Sequence, residues 1–301
     1  MPDEVFPVEQ TRSLLHIVDG SLAFAGHYVH QDSHPIHTHS FVEIALVMGG
    51  AGVQRSLAGP QRLAIGDVLL LRPGVWHGYE ECRALDLYNC CFSPELLRRE
   101  LAWTREDPQL GHLLWTGPYA EQRRGILTGR LGGDAFRESV AHLERLHDLR
   151  GVPAETHRGD LVGSLTLFLS VLARAISPGH DGTWPSVTHP AVLEAMRMME
   201  ERPAYHWTLT SLAAGLHVAP GYLVRLFKSA TGLPPMAYLS RHRVELAAAR
   251  LLHTDLPINR IGESVGWPDQ NYFARRFKSH YGLSASTYRA RFTRTPRLHS
   301  H

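Results

Sequence analysis

The chain repeats itself near its C-terminal end. The segment YLVRLFKSATGLPPMAYLSR, from Tyr222, stands fifty positions before YFARRFKSHYGLSASTYRAR, from Tyr272. Across that offset Tyr222, Arg225, Phe227, Lys228, Ser229, Gly232, Leu233 and Tyr238 recur as Tyr272, Arg275, Phe277, Lys278, Ser279, Gly282, Leu283 and Tyr288. Eight identities in seventeen positions mark a duplicated structural unit. Each copy has the layout of a helix-turn-helix: a short apolar helix (SLAAGLH, INRIGESVG), a turn (VAP, GWPDQ), and a second helix that stops at Gly232 or Gly282. Thr210 is expected to cap the first of these helices. Between the copies, PMAYLSRHRVELAAARLLHT reads as one long helix with strong propensity through ELAAARLL. A rigid connector of this kind holds two recognition helices at a separation suited to successive major grooves of DNA.

Charge agrees with a polyanionic partner. The net charge is only +2. From His189 onward, however, fifteen basic residues face seven acidic ones, a net of +8, whereas the preceding 188 residues carry sixteen against twenty-two, a net of −6. On the second helices Leu223, Leu226 and Phe227 are expected to face inward, as are Tyr272, Phe273 and Phe277. That leaves Gly221, Val224, Arg225 and Lys228 outward in the first unit, and Gln270, Asn271, Arg275 and Lys278 in the second. Arg can read guanine and Gln or Asn adenine, while Lys serves phosphate. The competing assignment places Arg225 and Arg275 in intramolecular ion pairs.

The N-terminal part has a different grammar. Residues 14–92 contain short apolar runs (FVEIALVM, RLAIGDVLLLR, ALDLYNCCF) separated by Gly and Pro, the pattern of a small antiparallel barrel or sandwich, with one strand ending at Gly49-Gly50. From Ser93 helices follow. SPELLRRELAW opens like a capped helix. DAFRESVAHLERLHDLR places Phe136, Val140, Leu143 and Leu146 on one face, and the helix through residue 176 aligns Leu161, Leu165, Phe168, Leu169 and Leu172. Residues 177–189 are Pro/Gly/Ser-rich and read as a linker. The expected fold is therefore α+β in two domains. Residues 1–105 form a barrel, 106–176 a helical coupling or dimerisation segment, and 190–295 an all-α domain of two helix-turn-helix units joined by a long helix. The apolar runs are too short for a membrane span, the N-terminus lacks the pattern of a secretion signal, and three cysteines make no disulfide framework; a cytoplasmic protein is expected.

With these residues in place, the C-terminal third resembles the DNA-binding domain of the AraC/XylS family of bacterial transcription regulators. Ile261, Val265, Gly266, Trp267, Asp269, Tyr272, Phe273, Arg275, Phe277, Lys278, Gly282, Tyr288 and Arg289 meet its second-unit pattern. Two positions depart from it: Gly262 replaces the usual Ala, at about 1 kcal/mol of helix propensity, and Ala285 the usual Pro. The resemblance implies that Gly221, Val224, Arg225, Gln270, Asn271 and Arg275 face bases, with less readout from the first unit.

His37-x-His39-x3-Glu43, followed by Gly66-Asp67 and Pro73-Gly74-x-x-His77, resembles the two motifs of a cupin barrel. In metal-binding cupins these positions supply three His and one Glu. His37 and His39 share a strand face by the period-two rule, and Glu43 is expected on the same face, with His77 on a neighbouring strand. The set His37, His39, Glu43 and His77 suits a divalent ion such as Zn, Fe, Mn or Ni, and equally an ion-free polar pocket lining an effector site with Trp76 and Tyr88. Trp76, Tyr79 and Tyr88 would each suit a sugar or aromatic ligand by stacking, and equally a place in the core. The reading that unites both halves is a non-enzymatic, effector-controlled transcription regulator, with double-stranded DNA, a small molecule (a sugar among the candidates), RNA polymerase and a second copy of the chain as partners. Its rival is a metal-dependent cupin enzyme with a DNA-binding appendage.

Overall fold

The computed structural model describes residues 8–11, 14–17, 23–120, 123–149, 154–176 and 188–293. The chain divides into two compact units, one built on Met1–Trp103 and Gly125–Pro178, the other on Thr104–Arg124 and Gly179–Arg291.

The first unit is a sheet of short apolar strands: β1 (Val8–Thr11), β2 (Leu14–Ile17), β3 (Ala23–His30), β4 (His34–His39), β5 (Val42–Ser56), β6 (Gly59–Leu63), β7 (Asp67–Leu71), β8 (His77–Phe92) and β9 (Ile126–Arg130). Their order is β1-β2-β4-β8-β5-β7-β9, with β3 also on β8 and β6 also on β5. Every pairing is antiparallel except β2 with β4. The two longest strands, β5 and β8, form the spine. Gly49-Gly50 does not end β5 as the sequence suggested; the strand bends there and runs on to Ser56. Gly50 has φ +70°, and a Cβ on it would stand 2.0 Å from the Ala84 carbonyl oxygen, so only glycine lets the strands stay paired through the bend. The inner wall, Ala45, Val47, Leu69, Tyr79, Leu85 and Leu87, is buried.

Two helices belong to this unit besides the short α1 (Pro94–Arg98), which Ser93 caps by accepting from the Leu96 amide at 3.0 Å. The helix α3 (Gly133–Asp148) buries Leu143 and Leu146, and α4 (Ala154–Ile176) buries Leu161, Leu165, Phe168, Leu169 and Leu172, the face expected from periodicity. Residues 156–176 are long and apolar enough to cross a bilayer by length and composition alone. In the fold their apolar face is instead directed at the protein, and Ile176 packs onto Gly129 of β9. The segment 106–176, read from sequence as one element, is thus split. Its α3, α4 and β9 belong with the barrel, whereas Thr104–Arg124 belongs with the C-terminal helices. The linker assigned to residues 177–189 lies almost wholly outside the described residues.

Within the second unit, Thr104–Arg124, which includes α2 (Pro108–Gly111), is fastened by buried polar contacts. Arg105 pairs with Glu200 and lies over the Trp115 ring, and the Tyr119 hydroxyl donates to Glu245 at 2.6 Å. Glu200 also accepts from Tyr238 at 2.7 Å. The helices are α5 (Pro190–Glu201), α6 (Leu209–Gly215), α7 (Pro220–Thr231), the connector α8 (Pro235–His253), α9 (Ile258–Ser264), α10 (Gln270–Tyr281) and α11 (Ala285–Thr293). Thr208, not Thr210, caps α6, exchanging hydrogen bonds with Ser211; Thr210 lies inside the helix. Gly262 has a packing reason to replace alanine: a Cβ there would meet the Phe273 ring at 3.0 Å and the Trp267 carbonyl at 3.1 Å.

Arg243, on α8, is buried and donates to three backbone carbonyls, those of Pro203 (2.8 Å), Tyr205 (2.8 Å) and Gly266 (3.1 Å). It joins the loop before α6 to the turn between α9 and α10. Gly266 has φ +91°, and a Cβ there would come 2.7 Å from the guanidinium. Replacing Arg243 by Met strips three partly buried carbonyls of their donor. The expected loss is about 2–4 kcal/mol from the unit containing the helix-turn-helices, read as a lowered denaturant midpoint by circular dichroism; an unchanged midpoint would show that water replaces the contacts at no cost.

Candidate nucleic-acid interface and sensor site

The two second helices of the repeat are α7 and α10. Each ends at a glycine in the left-handed conformation, Gly232 (φ 74°) and Gly282 (φ 72°). Their starts differ. Asp269 caps α10 by accepting from the Asn271 and Tyr272 amides at 2.9 and 3.0 Å, whereas α7 begins with Pro220 and has no side-chain cap. Both are anchored by an i, i+4 pair of fully buried residues, Leu223 and Phe227 on α7, Phe273 and Phe277 on α10.

Around those anchors, Gly221, Arg225 and Lys228 are exposed on α7, and Gln270, Asn271, Arg275 and Lys278 on α10. Among the described residues none of the four cationic side chains makes an ion pair, so the intramolecular salt-bridge assignment fails; Arg225 instead lies 5.7 Å from the centre of the Tyr222 ring. Three orientations differ from expectation. Val224 and Leu226 are half-buried, and Tyr272, expected inside, is 40% exposed, as is Tyr222. Phe273 and Phe277 fill the inner face, and Tyr272, one residue or about 100° round the helix, only edges against Trp267. Two tyrosines beside the two arginines are thus additional candidates for nucleic-acid contact, and their recurrence in the repeat was the signal for them.

In the barrel, His37 and His77 face each other across the β4–β8 ladder. His39 ends β4, the chain bends at Ser40 and Phe41, and Glu43 lies on β5, a different strand from the one expected. The Nδ1–H of His39 donates to the Phe41 carbonyl at 2.7 Å, which leaves the lone pair of Nε2 directed at Glu43 Oε2, 3.3 Å away. Asn89 donates to Glu43 Oε1 at 3.0 Å. The ligand atoms of His39, Glu43 and His77 all lie within 4.8 Å of one another. His37 stands outside this set, its Nδ1 donating to the Pro35 carbonyl at 3.0 Å, with its ring 4.2 Å from that of His77. Beyond it the imidazoles continue to the half-buried His34 (4.8 Å) and His30 (4.7 Å), flanked by Tyr79.

Trp76 is half-buried in the turn before β8. Tyr88 is not with the histidines. Asn89 points at Glu43, so its neighbour Tyr88 takes the other face of β8, where its ring meets His27 at 3.9 Å and His147 at 6.5 Å. Tyr79 is the aromatic that adjoins the cluster, and its buried hydroxyl has no hydrogen-bond partner among the described residues.

Burial governs the electrostatics. It raises the Glu43 carboxyl to about 7 and lowers His39 to about 4. His37 is lowered to about 3 and His30 to about 4 by burial first and neighbouring imidazoles second, and His77 falls well below the ordinary value for the same reasons. At neutral pH these imidazoles are uncharged. Two lone pairs, on His39 and Glu43, cannot face each other at 3.3 Å unless a proton or a cation lies between them.

Family comparisons agree with this division. A model of the AraC-like ligand binding domain matches residues 21–128, and a helix-turn-helix domain model matches residues 212–291. The HTH-type transcriptional activator RhaR of Pectobacterium carotovorum subsp. carotovorum (strain PC1) is 27% identical over 263 residues, 86% of this chain and 87% of that one. RhaR of Salmonella schwarzengrund (strain CVM19633) is 26% identical over 86% of this chain and 88% of its own. The solved structure of ToxT from Vibrio cholerae has the same fold, with TM-score 0.52 and 14% identity over 91% of this chain and all of that one. The chain belongs to the AraC family of transcription regulators, with an N-terminal ligand-binding barrel and a C-terminal pair of helix-turn-helices. It is a DNA-binding regulator controlled through that barrel, and this, not enzymatic turnover, is the reading its relatives favour.

The shifted groups give the acid response of the barrel. His30, His37, His39 and His77 bind protons less readily folded than unfolded, so their contribution to stability is present above pH 6.5 and is lost as the pH falls. Glu43, raised, acts in the opposite sense with one proton, its penalty growing as pH rises from 4.5 through 7. Unfolding between pH 6.5 and 5 should therefore take up about two or more net protons, each worth about 1.4 kcal/mol per pH unit. Denaturation at pH 7, 6 and 5 measures this; a midpoint independent of pH would contradict it.

Proposed function

We propose that the protein activates transcription from a bipartite DNA site in response to a sugar held in the barrel. The observation that carries the DNA reading is the pair of recognition helices with Arg225 and Arg275 exposed at equivalent positions and in no ion pair among the described residues, Gln270 and Asn271 preceding the latter. In this reading α10 does most of the base recognition and α7 less, because Gly221 and the half-buried Val224 offer little beyond Arg225. Lys228 and Lys278, near the far ends of the helices, serve phosphate. The protein acts in the cytoplasm, as a dimer, and contacts RNA polymerase when bound. The sugar assignment rests on the RhaR relatives and on the chemistry of the site. The phenol of Tyr79 is buried without a hydrogen-bond partner among the described residues, His77 is buried beside it, and sugar hydroxyls supply both donors and acceptors.

The deep end of the site also fits a divalent transition metal. Among the described residues His39 Nε2 is buried without a hydrogen-bond partner, Glu43 and His77 converge with it, and the Phe41 carbonyl, by accepting from Nδ1, turns the opposite nitrogen of the His39 ring toward them. His39, Glu43 and His77 would hold the ion, which when bound would supply a cationic centre for sugar oxygens.

Coupling is assigned to Thr104–Arg124. Its two ends run directly into the barrel's part of the chain, while its own side chains pack in the DNA-binding unit through Glu200 and Glu245. A sugar that shifts the strand ends shifts this segment, and with it the equilibrium between DNA-binding arrangements.

Selection from random DNA should return a bipartite site, and Arg275→Ala should cost about 1–3 kcal/mol concentrated at one base position. No enrichment would defeat the reading, and uniform weakening across sequences would make Arg275 a phosphate contact. For the metal, elemental analysis of protein loaded with Zn²⁺ or Mn²⁺ should show His39→Ala and His77→Ala losing the ion and His37→Ala keeping it. Equal losses from all three would restore a four-ligand set. Because burial raises the Glu43 carboxyl to about 7, loading should release protons, more at pH 6 than at pH 8, read calorimetrically in buffers of different ionisation enthalpy.

A further inference from the structure

The face of the barrel that carries the histidines continues onto strands outside the histidine motif. Residues directly opposite each other in an antiparallel ladder share one face of the sheet. Gln61 of β6 stands opposite Gln54 of β5, Gln54 opposite Tyr79 of β8, and Tyr79 opposite His34 of β4. The adjacent row runs through Ser56, His77 and His37. Alternation agrees with this placement: Arg55 and Glu80, the chain neighbours of Gln54 and Tyr79, pair with each other at 2.7 Å with both side chains partly open to solvent. Gln54 therefore shares its face with Tyr79 and His77.

Gln54 is 1% exposed, and its amide nitrogen has no hydrogen-bond partner among the described residues. The Tyr79 hydroxyl directly across the ladder is in the same condition. The Tyr79 ring is held in place, packed with Leu63 and Leu85 and lying 5.4 Å from the His30 ring, 25° from parallel. Two buried polar atoms left unpaired on facing residues are costly in the free protein, and a ligand that hydrogen-bonds them removes that cost. The row also restricts what such a ligand can be. Gln61, Gln54, Tyr79 and His34 bring no carboxylate, guanidinium or ammonium group, so nothing in the row selects an ionic ligand. An amide donor beside a phenol, which can both donate and accept, matches an alcohol hydroxyl. Tyr79 lies two residues along β8 from His77, a step of about 7 Å, which a single monosaccharide with its hydroxyls bridges.

We propose that Gln54, together with Tyr79, is the specificity-determining contact of the barrel. The two hold one hydroxyl of the sugar, and a sugar lacking it is rejected because amide and phenol then stay buried and unpaired. The assignment rests on the sugar reading of the barrel and adds to it a recognising wall on β5.

Calorimetric titration of the full-length protein with a panel of aldopentoses and aldohexoses identifies the sugar that binds most tightly. Its monodeoxy analogues are then titrated against the native chain, Gln54→Met and Tyr79→Phe. Met keeps the length of the side chain and removes the amide. Gln54→Met should weaken the parent sugar at least about tenfold. The thermal midpoint of the sugar-free protein should hold or rise, because an unpaired buried amide has been replaced by an apolar group. One monodeoxy analogue should bind the native chain at least about tenfold more weakly than the parent, and Gln54→Met should bind the two alike. Tyr79→Phe should narrow the same gap and no other. Sugar affinity untouched by both substitutions overturns the proposal and leaves the sugar reading standing, whereas a native chain that binds no sugar of the panel overturns both. A lowered midpoint for Gln54→Met, with every analogue weakened in equal proportion, would make Gln54 a support of the sheet that touches no hydroxyl, and overturns the proposal as well.

Discussion

The two recognition helices can act together only if the connector between them is rigid and each turn is held against it. Arg243 meets both demands. A buried guanidinium is stable when its donors are used, and here three carbonyls from two separate loops use them, with the Trp267 ring 5.8 Å from its charged carbon. The carbonyls gain a charged donor, roughly twice as strong as a neutral one. One side chain thereby sets where the first helix-turn-helix begins and where the second turns. The symmetry of the repeat does not extend to this contact, since Arg243 lies on the single connector and has no copy.

The barrel resolves its own polar burial differently. Its imidazoles and Glu43 are not neutralised by ion pairs; they are driven to their uncharged forms by desolvation, and the remaining mismatch is concentrated at His39, Glu43 and His77. In the DNA-binding unit the inserted segment shows the contrasting solution. Glu200 accepts from Arg105 and Tyr238, and Glu245 accepts from Tyr119 through Oε2.

Much of this was legible in the residues themselves. The fifty-residue repeat located α7 and α10, and helical periodicity found the buried face of α4 almost residue for residue, because its large apolar side chains recur at three- and four-residue spacing. The histidine motif brought His39, Glu43 and His77 together even though a bend at Ser40 places Glu43 on another strand. Tyr88 was misplaced although simple alternation excludes it: residue 89 shares Glu43's face, so residue 88 cannot. Arg243 and the membership of Thr104–Arg124 were beyond reach for a different reason. Their partners are backbone carbonyls and side chains more than twenty residues away, and no local pattern encodes them. Gly262, which looked like a cost in helix propensity, is the space that Phe273 and the Trp267 carbonyl occupy.

The insertion of Thr104–Arg124 means that the boundary between sensing and DNA-reading parts is not a point on the chain. A cut in the linker separates the sequence cleanly but not the folded units, since the C-terminal piece departs with Glu200 and Glu245 stripped of Arg105 and Tyr119. Modules of this kind do not recombine freely. A new sensor joined to this reader must bring a matching strap of its own, and natural chimaeras should carry their junctions before residue 104 more readily than within the linker.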